Sequence, residues 1–441
     1  MRYRALTALL AVASALPAAA ADRHLAVIIY PGNAALVEDT RTMDFPSGRT
    51  EVSFPDVSAN IRPETASLSA DGVSIVEQNF DFDLLTPQKL MEKALGRPIK
   101  IVRTNPGTGQ QVEEEATVLS TQQGVVLKVG DHIEVLRDDG IPTRVLFDKV
   151  PENLRAKPTL SVMVSSSRAG VRPATLRYMT TGLGWKADYV ANYDEKNATL
   201  DLQGWVTLTN TTNVSYDDAK VKIAAGALGS GTMGQGGQND ALALFDLPDT
   251  VTIADRQAKQ VGMVTLKGVH AEKVYHYTQA QFFNVNLPNN QGVKADVMLR
   301  FEAKDGAGTS WRLPRGAFRA FIKDMRGDAQ FAGETQISDI TPGAKVEAAI
   351  SKAFDIEIKP RLVKEERFGA FGQRRWMEYK VGNASTVPVS VEIEQDNFGD
   401  SVRITDESQS GTALDAHRHL WVVKVPARGE AVLTDTSEQG Q

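Results

Sequence analysis

The chain has 441 residues, 42% of them hydrophobic and 24% charged, a formal charge of −6 and no cysteine. That length exceeds one ordinary core, so roughly two to four globular domains are expected, and the composition is not that of a disordered chain. The acidic balance argues against general nucleic-acid or anionic-membrane binding. The missing cysteines exclude disulfides, thiolate chemistry, cysteine zinc ligands and a lipid-modified N-terminal cysteine.

Residues 1–21 read as a Sec-type signal peptide. Arg2 and Arg4 give the positive start, Ala5–Leu16 the apolar core, and Pro17 breaks it before the alanines Ala18 to Ala21. The leader carries two bases and no acid, so the chain without it has a charge of −6 − 2 = −8. The apolar run is well short of the ~20 residues a spanning helix needs. A periplasmic or secreted protein with no membrane span after signal removal, and not a lipoprotein, is the expectation.

Residues 22–98 are expected to form a small β-domain. Leu25, Val27 and Ile29 alternate before the turn Pro31–Gly32, and Val52–Phe54 and Ala66–Ala70 repeat the pattern. One helix is expected, Pro87–Leu95. Thr86 suits its N-cap, Pro87 its first turn and Gly96 its C-terminal left-handed position. Residues 99–150 read as a small β-barrel of short strands, with a hairpin turn at Gly130–Asp131. Residues 151–158 read as a connector.

Residues 159–441 are expected to form a large antiparallel β-sandwich region. Its organising stretch is Leu176–Gly226, read as three strands: Leu176–Tyr193, Leu200–Leu208 and a last one through Val221, Ile223 and Ala225. Trp185 and Trp205 are its large anchors, each able to bury about 150–250 Å². A Gly-rich loop follows at residues 226–240, and the tail Ser437–Gln441 reads as frayed. The fold class is therefore mainly β: a small N-terminal β-domain with one short helix and a small barrel, then the sandwich region.

The screen for chemistry is nearly empty. Gly229, Gly231 and Gly234 match a dinucleotide-type spacing, but Gln235-Gly-Gly-Gln-Asn is a poor helix to hold a pyrophosphate. His417 and His419 would share one strand face, yet two imidazoles fall short of the three or four ligands zinc takes, and neither a metal nor a cofactor is expected. Carboxylates cluster at Glu113–Glu115, Asp138–Asp139 and Asp217–Asp218. A glycosidase needs two carboxyls facing each other at about 5–10 Å, and solvated turns and strands are the simpler explanation of such clusters. The aromatics Tyr178, Trp185, Tyr189 and Trp205, with Tyr193 beside them, are candidate ligand contacts, weighed against an ordinary sheet core.

Phe54-Pro-Asp-Val, Glu77-Gln-Asn-Phe, Arg103-Thr-Asn-Pro-Gly, Ile133-Glu-Val-Leu-Arg-Asp-Asp, Leu183-Gly-Trp-Lys-Ala-Asp-Tyr and Gly204-Trp-Val-Thr-Leu-Thr-Asn resemble stretches of exported proteobacterial proteins of a domain-of-unknown-function family. Leu313-Pro-Arg-Gly-Ala-Phe-Arg, Phe331-Ala-Gly-Glu and Ile340-Thr-Pro-Gly resemble later strands of the C-terminal domain of mucoidy-inhibitor-type proteins, although the coiled-coil hairpin of those proteins is not evident. The resemblance covers nearly the whole chain after the leader and brings no catalytic residue with it. Two functions are weighed: a non-enzymatic periplasmic cell-envelope protein acting as scaffold or binding module for envelope proteins or glycans, and a periplasmic hydrolase of envelope polysaccharide using a carboxylate pair. The leader, the all-β pattern and the empty motif screen favour the first, in which exposed edge strands would accept partner strands by β-augmentation.

Overall fold

The computed structural model describes residues 23–81, 85–122, 124–136, 143–151, 154–226, 242–279, 292–323, 327–369, 372–396 and 402–439. The expected signal peptide, the Gly-rich loop beyond Gly226 and Asp138–Asp139 lie outside them. The chain is mainly β, as the alternation requires. It divides into two compact units: residues 1–184, 209–223 and 249–257, and residues 185–208, 224–248 and 258–441.

In the first unit, one sheet runs through Tyr216–Ala225, Arg23–Tyr30, Ala34–Phe45, Gly170–Thr181 and Ser67–Ala70. A second sheet sets Thr159–Ser166 between Gly48–Pro55 and Val73–Asp81. The division expected near residue 159 is therefore displaced: strands 159–166 and 170–181 hydrogen-bond to strands more than a hundred residues earlier. Local periodicity carries no information about such distant partners. The single run expected from Leu176 to Tyr193 is also broken. Gly182 has φ +96, and a Cβ there would lie 2.7 Å from Asn60 Nδ2, so the chain turns between Gly170–Thr181 and Leu183–Asp194.

A buried ion cluster ties this unit together. Asp39 is fully buried and accepts from Arg23 Nη2 and Arg41 Nη2, each at 2.7 Å. Its burial works against ionisation, but the hydrogen bonds from Arg41 and Arg23 win and hold the carboxyl below its ordinary range.

The helix observed is Pro87–Lys93, with Lys89 N donating to Thr86 Oγ1 at 3.2 Å as an N-cap. It ends earlier than the expected Leu95 because Leu95 bridges to Val118, and Gly96, with φ +72, turns the chain. The sheet that follows is ordered Thr143–Leu146, Pro98–Thr104, Gln111–Ser120, Val125–Val129, His132–Leu136. The region expected to form a small barrel is, among the described residues, a path of five paired strands. It curls strongly enough for Arg103 on its second strand to pair with Glu134 on its fifth. Met91 of the helix and Ala94 just after it share a buried apolar cluster with Ile101, Val118 and Leu127 of the sheet.

The second unit is built on one extended, largely antiparallel sheet whose strands share a single apolar core. Among the described residues, two pairings in it are parallel: Leu183–Asp194 with Gly316–Lys323, and Ala258–Gln279 with Val389–Gln395. The second of these starts a branch continued by His419–Val425. This branch forms one layer and Lys345–Phe368, Gly372–Asn383 and Gly429–Gln439 another, since Gln395 of the first bonds Tyr379 and Asp435 of the second. Of the tail expected to fray, the described part, Ser437–Gln439, is paired: Ser437 is fully buried and Gly429–Gln439 pairs along its length with Gly372–Asn383.

Gly333 sits where the pairing of Gly316–Lys323 with Ala329–Ile337 slips by one residue. Its φ is +149, and a Cβ there would lie 1.8 Å from the Ile350 carbonyl oxygen. Gly333→Ala is expected to destabilise the protein by about 1–3 kcal/mol, since backbone rather than a flexible side chain has to yield. Urea unfolding checks this; an unchanged midpoint would contradict it.

Candidate functional site

The four candidate aromatics do not form one groove. Tyr178 belongs to the first unit, is 1% exposed and accepts a hydrogen bond from Ser58 N at 3.3 Å. Tyr189 is fully buried in the second unit and donates to Pro314 O at 2.6 Å; burial pushes its hydroxyl far above the ordinary tyrosine range. Trp185 packs half-buried on the same core. Trp205, on Thr199–Asn210, alternates with the buried Leu202, Val206 and Leu208, so it faces outward with 36% of its surface exposed. The inward phase that makes Tyr189 a core residue thus removes it from any surface it would share with Trp205.

The acidic clusters separate as sharply. Asp217 and Asp218 are exposed near Val251–Ile253, with Asp218 N donating to Thr252 Oγ1. Glu113, Glu114 and Glu115 line a cavity of about 500 Å³ in the first unit, within the range small-ligand sites occupy. Its walls come from three places: Leu90, Lys93, Ala94 and Arg97 in and after the helix, Pro98–Lys100 and Glu113–Glu115 on adjacent strands, and Leu146–Lys149 with Pro151. The helix brings an apolar side because Leu90 and Ala94 are four residues apart. The pairing of Lys100 with Glu115 and of Val102 with Glu113 carries the acids to the same rim.

The rim is charge-compensated. Lys100 Nζ lies 3.3 Å from Glu113 Oε1, and Arg103 Nε 3.5 Å from Glu114 Oε2. The Glu113 carboxylate, with the charge of Asp148, raises the Lys100 ammonium above its ordinary range. The arrangement, an apolar side beside a rim of paired charges, suits holding a ligand with apolar and charged parts.

Sequence reasoning passed over a second polar centre, between the layers of the second unit. Asp435 is 3% exposed, and Gln395 Nε2 donates to its Oδ2 at 2.9 Å while Ser437 Oγ donates to its Oδ1 at 2.8 Å. Gln395 Nε2 also lies 2.9 Å from the Tyr379 hydroxyl. Glu407 is the cross-strand neighbour of Asp435. It accepts from Trp421 Nε1 at 2.8 Å and Gly411 N at 3.1 Å, and His419 Nε2 is 3.4 Å away. His419 thus lies beside this cluster, while the backbone N of His417 donates to Asp415 Oδ1 at 2.8 Å. Burial pushes the Asp435 carboxyl up to about 7, against its two hydrogen bonds and with help from the Glu407 charge. The signal in the sequence was an acid two residues after Leu433, in the inward phase of a strand.

Perturbed acids mark functional sites and buried networks alike. Asp435 is enclosed by its own fold, whereas the first-unit cavity has room for a ligand. Compared with known proteins, the chain matches no protein-family model and no curated protein.

Proposed function

We propose that this chain is a non-enzymatic periplasmic cell-envelope protein that acts as a scaffold or binding module. The observation that carries the reading is the cavity beside the helix Pro87–Lys93: about 500 Å³, apolar on one side, and rimmed by carboxylates already paired with Lys100 and Arg103. The leader-like residues 1–21 and the resemblance to exported envelope proteins support the compartment. Envelope proteins and glycans are the expected partners.

Leu146 lines the cavity on a short edge strand and is 39% exposed, so a larger side chain there narrows the mouth without disturbing a core. Leu146→Trp is expected to keep its unfolding midpoint while losing most of what the wild-type protein retains from envelope extracts. Equal retention by both proteins, or none above background, would sink this reading.

One observation favours hydrolysis of envelope polysaccharide by a carboxylate pair. Asp435 and Glu407 are neighbours in unlike environments, the pattern that separates an acid from a base. The burial of Asp435 stands against it, since a general acid must reach its substrate. Glycans recovered with unchanged chain length speak for binding, and shortened ones for hydrolysis.

A further inference from the structure

We propose that the second unit carries a saccharide subsite at Trp311, with its indole face as the stacking platform for a neutral pyranose ring. The inference rests on the reading of the chain as a binding module and assigns one ligand class to a second place on it. A cavity of about 350 Å³ lies here, lined by Leu244, Phe245 and Met263 on its apolar side and by Asp246, Arg312 and Thr309 among its polar groups.

Trp311 is 40% exposed, and its indole is tethered by a hydrogen bond. Its Nε1 donates to Asp305 Oδ2 at 3.1 Å, and its backbone N donates to Ala303 O at 2.6 Å. The other oxygen of Asp305 accepts from Ala307 N at 3.0 Å and Thr309 N at 2.9 Å, so one carboxylate braces both the turn and the ring. Ser310 Oγ is held by Glu302 at 2.7 Å. An exposed aromatic usually gives up rotamer freedom when a ligand stacks on it; here the hydrogen bond to Asp305 restricts that freedom in advance. Leu244, 45% exposed, extends the apolar surface beside it.

The lining chemistry selects a sugar over an apolar segment. A pyranose has a C–H face that matches the indole and a rim of hydroxyls. A carboxylate accepts from adjacent hydroxyls, and the planar guanidinium of Arg312 donates to a pair of oxygens. A purely apolar partner would strip water from Asp246 and Arg312 without replacing their hydrogen bonds.

Chitotetraose and cellotetraose titrated into the full chain, followed by calorimetry, test this. At least one should bind saturably, Trp311→Ala should weaken it by about 10-fold or more, and Trp311→Phe should recover part of the loss. Because Trp311 is exposed, both variants should unfold at the wild-type midpoint, which separates lost binding from lost fold. Binding of neither sugar, or equal binding by wild type and Trp311→Ala, overturns the inference. If the sugars fail while the Leu146→Trp difference persists, the saccharide subsite falls and the binding-module reading stands.

Discussion

Asp39→Ala should destabilise the first unit by about 3–5 kcal/mol, enough to unfold a marginal domain. The wild-type carboxylate is fully buried and satisfied by two guanidiniums in parallel, Arg23 Nε and Nη2 on one side and Arg41 Nε and Nη2 on the other. Removing it strands two partly buried cations. The Pro55 and Asp56 carbonyls that also receive Arg41 and Arg23 cannot neutralise them. A hydrophobic replacement of all three residues would test packing; the single change tests an uncompensated charge, and that is where the cost lies. The pH dependence has a definite sign. The folded-state pKa of Asp39 is below 3.8, so its contribution is complete above about pH 4 and is lost as pH falls through the folded value. Urea unfolding of wild type and Asp39→Ala at pH 7 and pH 3 should show the gap shrinking on the acid side; a gap that is small at pH 7 contradicts the argument.

The second large effect runs the other way. The folded-state pKa of Asp435 is about 7 against 3.8 unfolded, so the native state holds a proton that the unfolded chain has released. The stability this carboxyl contributes is complete below about pH 4 and is lost as pH rises to about 7. At about 1.4 kcal/mol per unit over roughly three units, the loss is about 4 kcal/mol. Asp435→Asn removes the titration while keeping one oxygen to accept from Gln395 or Ser437. The wild type should therefore lose about 4 kcal/mol relative to the variant between pH 4 and pH 8, measured as the difference in unfolding free energy across that range. Parallel pH profiles would mean that Asp435 titrates normally and that the cluster around it is more open than its burial implies.

Much of the fold was legible because it rests on local physics. Leu25, Val27 and Ile29 alternate and are all buried, and Thr86 caps the helix that its position before Pro87 announces. What stayed hidden is non-local. Nothing in Thr159–Ser166 says that its neighbours are Gly48–Pro55 and Val73–Asp81, and nothing in Val389–Gln395 says that it lies parallel to Ala258–Gln279. The site was harder still. The cavity takes its walls from residues 90–100, 113–115 and 146–151, so no short motif encodes it. Tyr178 and Tyr189 carried the right signal for a sheet core and the wrong one for a surface. Asp435 was visible only as a break in an apolar phase, which sequence alone does not distinguish from a strand slipping one residue toward solvent.

The most direct test of binding without turnover is a calorimetric titration of the purified envelope component into wild type and Leu146→Trp, with the component weighed by mass spectrometry before and after. A saturable heat for wild type, about 10-fold or more weaker in the variant, with the component's mass unchanged, is the predicted result. Cleavage of the component, or equal affinity for both proteins, would contradict it.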